Sequence, residues 1–180
     1  AAPKPDMRKA SPKRYDMKKS INLWAFPYPE RMNLEECLNL AKEAGFDGIE
    51  IHGANGYLPD QFLTTYTNNR QDEYGGEIEN RVRFHCEVVN EVRKKIGTGV
   101  TLGIRISQTK INDFEYEWPG QVKDASVIFS NISKAGADYI HISTHKGLVD
   151  VFDSGRNLAS FAKEYSGIKV IGCGGLHNPE

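Results

Sequence analysis

Cysteine is scarce in this 180-residue chain, and the three that occur, Cys37, Cys86 and Cys173, are widely spaced and form no CxxC pair. That pattern argues against a disulfide framework, an iron–sulfur cluster or a cysteine-bound zinc, and points to free thiols in a reducing compartment, the cytoplasm. Long apolar runs are also missing: none approaches the roughly 20 residues needed to span a bilayer. Ala1–Ser20 lacks the apolar stretch of a secretory signal. Nor is there an excess of charge of one sign. The net charge of -1 gives no footprint for a nucleic-acid or membrane partner. What remains is the profile of a globular domain, 39% hydrophobic and 26% charged, long enough to bury a substantial core.

Residues 1–32 stand apart. Lys4, Arg8, Lys9, Lys13, Arg14, Lys18, Lys19 and Arg31 face only Asp6, Asp16 and Glu30, and five of the eight prolines fall here. This composition reads as an extended, basic lead-in whose end Trp24, Phe26 and Tyr28 could pin to a surface. From residue 33 the signals alternate. Asn33 and Glu36 form a capping box for a helix that stops at Gly45. A strand follows over Phe46–His52. A helix fits Glu77–Lys95, with Phe84, Val88, Val92 and Ile96 as its apolar face. Further strands fit Val100–Ile106, Asp138–Ser143 and Ile168–Gly172, with helices over Val122–Ala135 and Asn157–Tyr165. Residues 44–51, AGFDGIEI, are echoed at 135–142, AGADYIHI, each a helix end, a glycine and a buried strand. Alternation of this kind implies an α/β fold with a parallel sheet covered by helices. Four strands are half of a (β/α)8 barrel, or a small open sheet.

Ligands of parallel α/β folds bind beyond the C-terminal ends of the strands. At the first such end stand His52, Asn55 and Tyr57, with Gly53 and Gly56 between them. His52 and Asn55 could donate to one oxygen and polarise a carbonyl, and a phenol such as Tyr57 can act as a general acid. A polar loop in which His52 merely caps backbone fits the spacing equally well. Arg105, taken alone, reads as a salt-bridge partner. Gly174 and Gly175 offer bare amides for a phosphate, yet many strand-to-helix turns are built the same way. Arg70, Asp72, Glu73, Glu79, Arg81 and Arg83 read as a structural charge network. His141 and His145 could line a pocket, but no carboxylate stands at an offset that would complete a metal site with them and His52.

Residues 44–58, AGFDGIEIHGANGYL, with DQFL at 60–63, TNNRQDEYGG at 67–76 and ENRVRF at 79–84, closely resemble the old yellow enzyme family. The resemblance covers about residues 41–180 and is strongest over 41–107. It implies a partial (β/α)8 barrel, about strands 4 to 7, over residues 33–180. It also implies FMN as cofactor, NAD(P)H as reductant, and an activated alkene such as an α,β-unsaturated carbonyl as substrate. On that resemblance His52 and Asn55 bind the carbonyl oxygen, and Tyr57 protonates the α carbon. Arg105 lies beside the N1/O2 edge of the flavin, and Gly174 and Gly175 form the phosphate-binding turn. A half barrel exposes strand edges, so self-association or pairing with the missing half is expected. Two other readings stay open: a non-catalytic half-barrel interaction module, and a flavin-free phosphate-binding barrel enzyme.

Overall fold

Helix ends are set by residues that can satisfy stranded backbone groups. In the computed structural model, which describes residues 20–21, 26–27 and 30–176, Asn33 Oδ1 accepts from the Glu36 amide at 3.0 Å. Glu36 Oε2 accepts in return from the Asn33 amide at 2.8 Å, the reciprocal box expected from the sequence. The helix it starts, α1 (Leu34–Glu43), ends at Gly45 with φ +80°. The echoed segment ends its helix in the same way, at Gly136 with φ +109°. Asn157 Oδ1 caps another helix by accepting from the Ser160 amide at 2.9 Å.

The elements run β1 (Ser20–Ile21), α1, β2 (Gly48–Asn55), α2 (Leu58–Leu63), α3 (Ile78–Arg81), α4 (Arg83–Ile96), β3 (Thr101–Lys110), α5 (Val122–Lys134), β4 (Tyr139–Ser143), α6 (Leu158–Ser166) and β5 (Lys169–Cys173). The five strands form one parallel sheet in sequence order. Four of them are the strands expected. The fifth, β1, falls inside the segment read as a lead-in. The basic residues before Ser20, together with Trp24 and Tyr28, lie outside the described residues.

Side chains of a strand alternate between the two faces of a sheet. Leu102, Ile104 and Ile106 of β3 and Ile140 and Ile142 of β4 point to the helices and are at most 2% exposed. They pack with Val89, Ile128, Phe129, Ile132, Leu158 and Phe161. The intervening residues turn to the other, inner face. Sequence in this sheet therefore sorts by parity: one set of positions builds the core and the other carries polar groups.

Three expectations need correction. The helix expected over Glu77–Lys95 is split at Val82, where ψ of -16° opens the turn between α3 and α4. Its buried residues are His85 and Val89, not a stripe through Phe84 and Val88. Steps of four residues drift about 40° each around a helix, whereas Val82, His85, Val89, Val92 and Ile96 stay on one side. Phe84 instead stacks on Phe62, with ring centroids 4.3 Å apart. Helix α2 was not anticipated, although Pro59 in its first turn marks a helix start.

The expected charge network is structural. Arg83 Nε donates to the Glu73 carbonyl at 2.8 Å, and exposed Arg70 pairs with Asp72. Buried Arg81 donates to the carbonyls of Leu63 and Gly76 and pairs with Asp124 of α5 at 3.0 Å. It thereby ties three segments together.

His85 is fully buried, and its Nε2–H donates to the Gly53 carbonyl of β2 at 3.3 Å. Burial lowers its pKa to about 4. The unfolded chain, with an ordinary histidine near pH 6.5, therefore takes up this proton first on acidification. The stabilising effect is complete above about pH 6.5 and is lost as pH falls towards 4, on the order of 3 kcal/mol over the window. Urea denaturation at stepped pH is expected to show this loss, and His85→Leu is expected to flatten it. An equal slope in the variant would rule out His85 as the source.

Candidate active site on the inner face of the sheet

The register of the strands places the candidate residues in two rungs. Glu50, Gly103 and Tyr139 are partners across β2, β3 and β4, and His52, Arg105 and His141 form the next rung. Glu50 joins the two. Its Oε1 accepts from Arg105 Nε at 3.0 Å, and its Oε2 accepts from the Tyr139 hydroxyl at 3.0 Å and from His141 Nδ1 at 3.0 Å. The phenol can reach because residue 103 is glycine. A Cβ there would sit 2.0 Å from Tyr139 Cζ, so the ring lies across β3 where no side chain intervenes.

Glu50, which the sequence did not single out, stands between His141 and Arg105 in this arrangement. Two residues before His52, it shares the inner face by parity, and the internal repeat sets it opposite His141. Those two signals could have found it. Its donors are a guanidinium, a phenol and an imidazole, and among the described residues no cluster of metal-binding side chains forms. Burial pushes its pKa up, but the His141 bond, the charges of His141 and Arg105 and the Tyr139 bond outweigh burial, and the net shift is downward.

Arg105 is at once the salt-bridge partner expected of an isolated strand arginine and a group open to a ligand. Its side chain is 30% exposed, and Glu50 engages only Nε and Nη2. His52 lies beside it in register. Burial, followed by the Arg105 charge, lowers the His52 pKa, so the ring is neutral at pH 7 and keeps one N–H to donate.

Beyond His52 the chain turns sharply. Asn55 adopts φ +61° and Gly56 φ +82°. The turn brings the Tyr57 ring back to within 5.0 Å of the His52 ring, tilted by 50°. Tyr57 is 40% exposed. Imidazole and phenol are thus brought together at the strand end, with the Asn55 carboxamide on the turn between them. Phe114, on the loop after β3, and His145, on the loop after β4, face each other at 4.6 Å.

Gly174 and Gly175 follow β5, with φ +98° and +59°. Their missing side chains make room for the chain itself. A Cβ on Gly174 would lie 1.6 Å from the Thr144 carbonyl oxygen, and one on Gly175 2.9 Å from that of His145. The Gly174 carbonyl accepts from the Gly147 amide at 2.7 Å. The turn therefore locks the β4–α6 loop in place, which a turn with side chains could not do.

A parallel sheet with apolar residues towards its helices, polar residues inward and a histidine, an amide and a phenol at one strand's C-terminal end defines a segment of a (β/α)8-barrel protein. The family described as NADH:flavin oxidoreductase / NADH oxidase matches residues 32–180, and the chain belongs to that family. A probable flavin mononucleotide-dependent alkene reductase of Leishmania infantum is 40% identical over 159 residues, 82% of this chain and 42% of that protein. Cinnamate reductase of Clostridium sporogenes is 49% identical over 84 residues, 46% of this chain and 12% of that protein. Among solved structures, morphinone reductase in complex with tetrahydroNAD superposes with a TM-score of 0.60 at 34% identity, over 77% of this chain and 36% of that one. The chain thus spans less than half the length of these relatives.

Replacing Glu50 by Gln preserves shape but removes the charge that three donors converge on. At pH 7 the variant is expected to be less stable by about 1–3 kcal/mol, the range for hydrogen bonds to a charged group. Because the folded-state pKa of Glu50 is depressed, its contribution is present above the unfolded value of about 4.3 and is lost as pH falls through the folded value. Urea midpoints of the two proteins should therefore converge between pH 7 and pH 3. A gap that stays constant would show that the charge is not the stabilising element.

Proposed function

We propose that the chain is the part of an FMN-dependent ene-reductase that binds the activating carbonyl of an alkene and delivers the proton. The observation that carries this reading is the approach of the Tyr57 ring to the neutral His52 ring, in a turn that leaves Tyr57 exposed at the strand end. His52 and Asn55 donate to the carbonyl oxygen of an α,β-unsaturated substrate and draw electron density from the double bond. Tyr57 gives its proton to the α carbon. Arg105, held by Glu50 with part of its guanidinium open, sets a positive charge where negative charge develops. The amides of Gly174 and Gly175 are available to a phosphate. The chemistry that a bound FMN supplies is hydride, taken from NAD(P)H and passed to the β carbon. The inner face suits such a group, since one side of the Arg105 guanidinium stays open next to His52 in register.

The partly exposed β5 edge bears on partners. Lys169, Ile171 and Gly172 are exposed, beside a groove between α6 and β5. A strand like β5, whose outer edge has no partner among the described residues, pairs with a further strand, either from a second copy or from the remainder of a barrel. Cys37, Cys86 and Cys173 are free, and burial raises the Cys86 thiol to about 11, which fits an unreactive thiol in the cytoplasm. No helix among the described residues is long and apolar enough to cross a membrane.

The test separates the two half-reactions. In flavin-loaded protein, Tyr57→Phe is expected to slow alkene reduction by about 100-fold or more, the scale of general-acid catalysis. Flavin reduction by NAD(P)H should be unaffected. Stopped-flow absorbance of the flavin follows each step, and equal losses in both would remove Tyr57 as proton donor. Titration with FMN and then a phenol should develop a long-wavelength charge-transfer band, a direct sign of the pocket over the flavin.

A further inference from the structure

Among the ion pairs of the described residues, Asp60–Lys110 is the most deeply buried, its side chains 0% and 1% exposed. Neither group takes part in the carbonyl and proton chemistry just described. Their position comes from an irregularity in the sheet. Between the pairs Gly53–Ile106 and Asn55–Lys110, β2 advances two residues while β3 advances four. The surplus arches Ser107–Thr109 and brings the Ser107 hydroxyl beneath the turn, where its Oγ accepts from the Asn55 amide at 2.7 Å.

Asp60, in the first turn of α2, completes the arrangement. Its Oδ2 accepts from the Gly56 amide at 2.7 Å. Lys110 Nζ donates to both of its oxygens, at 2.7 and 2.8 Å, and the nearby Ser107 hydroxyl further favours the charged carboxylate. Two consecutive amides, those of Asn55 and Gly56, are therefore held from below by one cluster. Both residues sit at positive φ, which Asn adopts at a cost and keeps only where surrounding contacts require it. Lys110 in turn lies 4.9 Å from the Tyr116 ring, whose hydroxyl accepts from the Thr65 amide just past α2.

We propose that Asp60 and Lys110 form a buried clamp, coupled through Ser107, that fixes the Asn55–Gly56–Tyr57 turn in the conformation that presents the carboxamide and the phenol to substrate. They are positioning residues, and their functional meaning rests on the ene-reductase reading of Asn55 and Tyr57. A buried ion pair is a poor means of stabilising a fold, because apolar residues of similar size often serve equally well. Its distinctive property is direction. A carboxylate offers about four acceptor sites, and here they receive the lysine on both oxygens and the amide of the turn. Leucine would fill the space and leave the Gly56 amide without an acceptor. Burial works against both charges, and each is the counter-charge that offsets it.

The test uses the double variant D60L/K110M, which removes both charges together and leaves neither stranded. Hydrogen exchange of individual amides is read by NMR in the full chain. The Asn55 and Gly56 amides are expected to exchange about 10- to 100-fold faster than in the wild type, the equivalent of losing a hydrogen bond to a charged group. Those of Ile49 and Ile51 on β2 should be unchanged. In FMN-loaded protein, phenol affinity should fall by about tenfold or more, as expected for a small misplacement of the contacting groups, with FMN affinity retained. Unchanged protection at the two amides would overturn the proposal, as would lost protection with full phenol affinity. If the wild type takes up neither FMN nor phenol, the ene-reductase reading falls, and exchange alone decides the clamp. Should the double variant not fold, Ser107→Ala probes the same linkage. Faster exchange of Gly56, which Asp60 rather than Ser107 holds, supports the coupled clamp, and loss confined to Asn55 refutes it.

Discussion

A carboxylate removed from water must find donors, and Glu50 finds three, on β3 and β4. The arrangement of the inner wall follows from that requirement. Arg105 is turned towards β2, His141 towards β2, and the Tyr139 ring lies over Gly103 to reach the same acceptor. Three adjacent strands are thus cross-linked on the face opposite the apolar core. The geometry of Arg105 depends on this one acceptor, and its charge adds to the burial that lowers the His52 pKa.

The candidate site divides its work between a rigid part and a held part. His52 and Arg105 are strand residues fixed by backbone register, so their relative position is set by the sheet. Asn55 and Tyr57 lie on a turn whose backbone angles are unfavourable for a residue with a side chain, and its shape is maintained by contacts from α2 and the irregular end of β3. Sites built on regular elements are more accurate than sites on loops unless a supporting shell holds the loop. Here that shell is a buried cluster more than 40 residues away in sequence from the turn it supports on one side and four residues away on the other.

Family membership and sheet topology agree on a barrel segment, and its layering explains how a part of a barrel keeps a core. Each strand contacts its neighbours and its own helices, so the apolar layer between β3, β4 and helices α4–α6 closes within the chain. The cost appears at the edge. Residues of β5 that a further strand and helix would cover, Lys169, Ile171 and Gly172, are exposed.

Caps, glycines and short apolar runs are local properties, and they were legible: the capping box at Asn33, the left-handed glycines at 45 and 136, and four strands. The closeness of His52, Tyr57 and Arg105 was legible too, because they lie in one contiguous motif or on the adjacent strand. Three kinds of feature were not legible. The apolar face of α4 was misjudged because a four-residue step mimics a stripe while turning away from it. The role of Glu50 required knowing that residues 50, 103 and 139 share a rung, with the glycine in the middle opening the path. The support beneath Asn55 required the two-residue surplus in β3, which no spacing announces. Sequence by itself determined where four strands and most of the helices fall, because caps, glycines and apolar runs act over a few residues. Only the tertiary structure decided which charges meet, because register and burial bring together side chains that are 50 to 91 positions apart.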